Sequence, residues 1–136
     1  MPAFMLRRSG TGPLQFEGEL LAFASGHDLW PKNKPRPPNR YHNIGLYRTH
    51  KGRYVVAVEF RCDTKFDDPY DAVEVLDSPQ DVVEYLEDFD PLEGVRGWTL
   101  ERHAEQDKRL REALTNNFER LVSLLLAGRE EFAERV

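Results

Sequence analysis

The sequence is poor in cysteine and has no long apolar run. Its 136 residues include one cysteine, Cys62, which cannot form a disulfide within the chain. The fold therefore needs no oxidising compartment, and we expect a cytoplasmic protein. The longest uncharged apolar runs, Val55–Val58 and Leu124–Ala127, are far shorter than the ~20 residues that span a bilayer. Met1–Arg8 has no apolar segment of the kind found in signal peptides.

The sequence also lacks the common motifs of catalysis and metal binding. Its four histidines have no metal-ligand spacing, and no P-loop, nucleophile elbow or dinucleotide-binding glycine pattern occurs. The acidic segment Asp63–Asp71 has neither the alternating acids nor the central glycine of an EF-hand loop. We therefore expect no catalytic residue, no metal and no cofactor. A small hydrolase or metal-dependent enzyme built around His103 or this segment is the least favoured alternative.

The composition is that of one globular domain, which we assign to residues 1–136. Hydrophobic residues make up 40% of the chain, enough to form a core. The net charge of −5 conceals uneven blocks: residues 1–53 carry a net +6, residues 54–98 a net −10 and the remainder −1. We expect the basic and acidic blocks to lie beside each other in the fold.

Apolar residues alternate with a period of two through the first half of the chain, which predicts a sheet over residues 14–77. Four strands are predicted, within residues 14–24, 41–49, 53–62 and 72–77. Thr49–Gly52 is a hairpin connection in which Gly52 supplies a positive φ. The alternation predicts an antiparallel sheet with one covered face.

A helix is predicted over residues 78–89, with Ser78 as N-cap and Pro79 at its first position. An apolar stripe then predicts a helical segment over residues 99–135. Unbroken from Thr99 to Val136, this helix would be ~57 Å long, whereas a domain of this size is ~37 Å across. It must therefore break, with Asn116 as a second N-cap and Gly128 as a stop, or pack on another chain.

These elements predict an α+β fold: a four-stranded antiparallel sheet covered on one face by a short helix and a long C-terminal helix or helix pair. The excess length of the last helix favours a homodimer, and its candidate interface residues are Phe118, Leu121, Leu125 and Phe132. The predicted core comprises Phe16, Leu20, Ile44, Leu46, Val56, Val58, Phe60, Val73, Val75, Val82, Leu86, Phe89, Leu110 and Leu114.

Two charged segments offer binding surfaces. A proline-rich loop at residues 30–41 places cations between aromatic rings, as in grooves that bind single-stranded nucleic acid. Its candidate nucleic-acid contacts are Trp30, Lys32, Lys34, Arg36, Arg40 and Tyr41. The predicted first helix carries an acidic stripe that would accommodate a basic protein partner, formed by Asp77, Asp81, Glu84 and Asp88. A solvated loop and a solvated helix face remain the alternatives.

Three segments, Phe16–Leu21, Leu46–Val56 and Val73–Ser78, are similar to the central region of the bacterial EXLDI proteins, a family without a characterised function. There, an F-x-G-x-L-L strand precedes a Y-R-T-x-x-G-R-[FY] hairpin and a T-x-E-V-x-D-[ST] strand that leads into a helix. The resemblance covers residues 14–90 and implies a bacterial protein, without implying catalytic residues. The chain departs from the family at both ends, with a long helix in place of the terminal E-x-L-D-I.

The sequence thus favours a non-catalytic interaction module that forms a homodimer. The alternative from a different class is a nucleic-acid-binding accessory protein that uses the loop at residues 30–41. No membrane association is expected.

Overall fold

A computed structural model describes residues 1–29, 39–96 and 104–133. It shows an α+β protein in which an antiparallel sheet is followed by two helices, as predicted. The strands, hydrogen-bonded in chain order, are β1 (Ala3–Arg8), β2 (Thr11–Ser25), β3 (Arg40–Thr49), β4 (Tyr54–Cys62) and β5 (Tyr70–Leu76). The helices are α1 (Pro79–Asp88) and α2 (Ala104–Leu126), and short 3-10 turns lie at Gly26–Leu29 and Glu130–Phe132.

The sheet has five strands, so the prediction of four strands beginning at residue 14 is wrong. The additional strand, β1, pairs with β2 through residues such as Phe4 opposite Phe16. The sheet also curls until its first and last strands touch. There, the Ser9 amide donates to the Asp71 carbonyl at 2.8 Å, and the Asp71 amide donates to Ser9 Oγ at 2.8 Å. The curl converts the sheet face opposite the helices into a concave inner face.

A bulge in β2 decides which side chains reach each face. The register with β3 shifts between Leu20 and Ala22, which inverts the alternation because successive side chains point to opposite faces. Ala22 and Ala24 consequently pack toward the helices, whereas Leu20 lies on the inner face and is 48% exposed. The predicted placement of Leu20 in the core is therefore wrong.

The main core lies between the helices and the outer face of the sheet. Alternate residues of β3 and β4, including Ile44, Leu46, Val56 and Val58, are fully buried there. Helix α1 contributes Val82 and Leu86, and α2 contributes its apolar stripe. Ser78 caps α1 by accepting a hydrogen bond from the Asp81 amide at 3.1 Å, with Pro79 at the first turn. The predicted hairpin and helix cap are confirmed, since Gly52 has φ +84°.

Helix α2 ends earlier than predicted and passes Asn116 without a break. It ends at Leu126, before Gly128 with φ +74°, and its 23 described residues extend ~35 Å, which fits one domain. The following 3-10 turn folds back, placing the Phe132 ring 5.9 Å from the Tyr54 ring. In the described part of the chain, neither helix is long and apolar enough to cross a membrane.

The candidate dimer-interface residues are covered within the chain. Phe118, Leu121 and Leu125 are each at most 3% exposed, and Phe132 is half-buried against the same core. The sheet covers the part of the stripe that a partner was expected to cover, so these side chains offer little surface to a second chain. Homodimer formation itself stays a prediction.

A buried histidine lies inside the core. His42 is 1% exposed and packs between the rings of Phe60 and Phe118, at 5.1 and 5.2 Å. Its Nε2 has no hydrogen-bond partner. Burial lowers the pKa of His42 to about 4, although a hydrogen bond to the backbone of Pro91 partly opposes this. The ring is therefore neutral in the folded protein at neutral pH.

We predict that His42 makes the protein less stable in mild acid. Between pH 6.5 and 4 the unfolded chain binds a proton that the folded protein does not, so stability falls as the pH falls. Urea unfolding should show a loss of about 2 kcal/mol between pH 7 and 5 from this residue. The His42→Gln variant should lack most of that loss, whereas the exposed control His50→Gln should retain it. Equal pH profiles for His42→Gln and the parent protein would contradict this account.

Candidate functional site

Of the six candidate nucleic-acid contacts in the proline-rich loop, the structure describes two, Arg40 and Tyr41. Trp30, Lys32, Lys34 and Arg36 lie outside the described residues. The Arg40 side chain is 8% exposed and its guanidinium pairs with the carboxylate of Asp67. Arg40 is therefore an internal ion-pair residue, and its guanidinium offers little surface to a phosphate. The ring of Tyr41 is half-buried and meets the ring of His27 edge-on at 5.4 Å.

The acidic segment after β4 is held in place by hydrogen bonds and an ion pair within the protein. The Asp67 carboxylate is buried and, besides Arg40, accepts hydrogen bonds from Thr64 Oγ1 at 2.6 Å and the Arg96 amide at 2.9 Å. Burial alone raises the pKa of Asp67, but these hydrogen bonds outweigh it and lower the pKa. Within residues 1–29, 39–96 and 104–133, no group of three or more potential ligands could hold a metal ion.

The acidic stripe on α1 remains largely solvated. Asp77 pairs with Arg53 at 2.7 Å while 74% of its side chain is exposed. Glu84 accepts a hydrogen bond from Gln80 at 3.1 Å on the same helix. A basic protein partner for this stripe stays a prediction.

The inner face of the curled sheet holds the most chemically distinctive cavity. All five strands contribute to it, and its volume is about 290 Å³. The polar and aromatic lining residues that β3, β4 and β5 contribute, called the inner-face cluster below, are Asn43, Tyr47, Glu59, Arg61 and Asp71. They reach one cavity because β3, β4 and β5 are adjacent in the sheet. These residues also occupy alternate, paired positions whose side chains point to the same face.

The inner-face cluster is a connected network. Arg61 Nη2 donates to Asp71 Oδ1 at 2.7 Å and lies 3.5 Å from Glu59 Oε2. Arg61 Nη1 donates to the Tyr70 carbonyl at 3.2 Å. Burial alone lowers the pKa of Arg61, but the adjacent carboxylates outweigh it and raise the pKa. The guanidinium thus fixes two carboxylates along one wall of the cavity.

Asn43 extends this network and leaves one atom unsatisfied. Its Nδ2 donates to Glu59 Oε2 at 3.1 Å, so its Oδ1 points away from the carboxylate. Asn43 Oδ1 is buried and has no hydrogen-bond partner. An unpaired buried carbonyl is unfavourable in a folded protein, and this one belongs to a residue that lines the cavity.

Small and aromatic residues shape the space. Gly45 and Ala57, paired across β3 and β4, line the cavity beside the Tyr47 ring. A Cβ atom at Gly45 would lie 3.1 Å from Tyr47 Cε1, so a larger residue would displace the ring. Burial, and then the charge of Glu59, raise the pKa of Tyr47. Its hydroxyl is therefore protonated at neutral pH.

The rim of the cavity is apolar and exposed. Met5 is 63% exposed and Phe23 is 56% exposed, and both line the cavity. The Tyr47 ring also contacts Phe4 and Phe16, with centroids 5.0 and 5.5 Å apart. An exposed apolar rim around buried polar groups is a common arrangement in small-molecule sites.

A larger cavity of about 410 Å³ lies at the opposite end of the inner face. Its apolar lining includes Leu14, Val55 and Val75, and its basic side chains, such as Lys51 and Arg53, are exposed. The described structure shows no buried unpartnered polar atom there, so the smaller cavity is the stronger candidate.

Sequence reasoning did not identify the inner-face cluster. Glu59 and Arg61 alternate with the buried row of β4, and this pattern predicted a solvated face. The sequence did contain one usable signal. Val55 and Ala57 lie on the same face of β4 as Glu59 and Arg61, and apolar residues there indicate that this face is not fully solvated.

Comparisons with protein-family models, curated proteins and solved structures find no match to this chain. The resemblance to EXLDI proteins therefore stays a prediction.

We predict that Arg61 stabilises the protein more than an exposed arginine with the same ion-pair distance. Arg61–Asp71 and Arg53–Asp77 are both 2.7 Å ion pairs, but the first is half-buried and the second is exposed. Arg61→Gln should lower the free energy of unfolding by about 1–2 kcal/mol, since it leaves two carboxylates unpaired. Arg53→Gln should change it by less than about 0.5 kcal/mol. Urea unfolding at pH 7 tests this, and equal effects of the two substitutions would refute it.

Proposed function

We propose that this protein is a non-catalytic binding protein that holds a small molecule in the cavity lined by the inner-face cluster. The observation that carries the proposal is the unpartnered Asn43 Oδ1, a buried atom of a residue that lines the cavity and bonds to its charge network. Native proteins rarely keep buried polar atoms without partners, and a bound ligand is one way to supply the missing partner.

The architecture also supports a binding role. The helices cover the outer face of the sheet, so the inner face is available to a ligand without rearrangement of the main core. Arg61 holds the carboxylates of Glu59 and Asp71 in place. Such preorganisation favours recognition, because less conformational freedom is lost on binding.

The volume restricts the class of ligand. At ~30 Å³ for each water molecule, a cavity of about 290 Å³ accommodates on the order of ten non-hydrogen atoms. A small molecule or the end of a longer one fits this space, whereas a folded partner does not. The interaction module expected from the sequence is therefore proposed to bind a small molecule rather than a protein at this cavity.

A fragment screen by NMR on the full chain tests the proposal. Fragments should perturb backbone resonances of β3, β4 and β5 around the cavity. The Ala57→Leu variant, which fills the cavity, should weaken this binding at least tenfold and remain folded.

The matched control is Ala113→Leu, because Ala113 is exposed on α2, away from the sheet. This variant should bind fragments like the parent protein. Fragment binding that persists unchanged in Ala57→Leu, or no fragment binding at the cavity at all, would refute the proposed function.

A further inference from the structure

Resting on the proposed function, we infer that the ligand of this cavity is an organic cation, a primary amine or guanidine with a small apolar body. Some hydrogen-bonding atoms of the inner-face cluster have partners within the protein and others do not, and the atoms without partners indicate what a ligand must supply.

The nitrogen donors of Arg61 and Asn43 have partners within the protein, and the Tyr47 hydroxyl, which can both donate and accept, is the one donor group of the cluster without a partner in the described structure. Arg61 donates to Asp71 and to the Tyr70 carbonyl, and the Asn43 amide nitrogen donates to Glu59. In the described structure, three oxygens of the cluster accept no hydrogen bond from a protein group: the buried Asn43 Oδ1, and Glu59 Oε1 and Asp71 Oδ2 on partly exposed side chains. A ligand that satisfies these oxygens must donate several hydrogen bonds, and an ammonium or guanidinium group is a pure donor.

The charge of the cavity agrees with this donor requirement. The two carboxylates and one guanidinium of the inner-face cluster leave a net charge of −1. Tyr47 is neutral at neutral pH, and β2 contributes the uncharged ring of Phe23. The remaining charged lining residue, Arg7 on β1, is exposed and therefore screened by water. A cationic head group is thus attracted to the depth of the cavity.

The rim suits the other end of such a ligand. Phe23 and Met5 present exposed apolar surface beside the cavity. Tyr47 also lines the cavity, and tyrosine rings can make cation–π contacts with ammonium groups. An amine with an aromatic or aliphatic body of up to about ten non-hydrogen atoms matches the available volume.

Three probes of nearly equal size separate the possibilities on the full chain. They are 2-phenylethylamine, neutral 2-phenylethanol and anionic phenylacetate, each titrated by NMR or calorimetry at pH 7. The amine should bind at least tenfold more tightly than either other probe. Its affinity should fall as salt is added, because the attraction is partly between charges.

Two variants connect that preference to the named oxygens. Glu59→Gln removes one negative charge at nearly constant shape and should weaken amine binding at least fivefold without altering alcohol binding. Asp71→Asn provides a second variant with the same expected direction if Glu59→Gln does not fold. The control Glu74→Gln changes an exposed glutamate of β5 outside the cavity lining and should leave amine binding unchanged.

The outcomes distinguish the two proposals. If the alcohol or phenylacetate binds in the cavity as tightly as the amine, or if both variants bind the amine like the parent, the amine inference is wrong while the proposed function stands. If neither these probes nor the fragments bind in the cavity, the proposed function is wrong and the amine inference falls with it.

Discussion

The curl of the sheet is the constraint on which the rest of the structure depends. A flat five-stranded sheet would leave the side opposite the helices facing water, and its polar residues would be ordinary surface groups. Here β1 and β5 meet through the hydrogen bonds between Ser9 and Asp71. The bulge after Leu20 accompanies this geometry, since bulges increase local twist and bend a strand. The same backbone therefore forms an apolar core outside the curl and a polar cavity inside it.

The parts of the fold set by local chemistry could be predicted from the sequence. The alternation of β4, the positive φ of Gly52 and the Ser78 cap each depend on a few neighbouring residues, and all three were predicted. Strand β1 could not be, because its six residues gain their conformation by pairing with β2. For α2, the stop at Gly128 was among the predicted alternatives, but the continuation to residue 135 and the cap at Asn116 were wrong, because whether the helix breaks depends on how the sheet covers its stripe.

The candidate site depends on contacts between distant residues, and this is why its residues resembled surface residues in the sequence. Asn43 and Glu59 are 16 positions apart, and Arg61 and Asp71 are 10 apart. Their proximity follows from the register of three strands, and their burial follows from the curl. The periodicity of one strand reveals neither this proximity nor this burial. It shows which side chains share a face of the sheet, but not whether that face is solvated or enclosed.

The segregation of charge along the sequence has a structural explanation in this fold. Arg40 and Arg53 belong to the basic first block, and each pairs with an acid of the second block, Asp67 and Asp77 respectively. Pairing between the blocks accounts for two cations that would otherwise suggest an anion-binding surface. Arg61, in contrast, pairs within the acidic block, where two carboxylates share one guanidinium. One acceptor-rich wall is left inside the curl, and the proposed preference of the cavity for cations rests on this local imbalance rather than on the net charge of the protein.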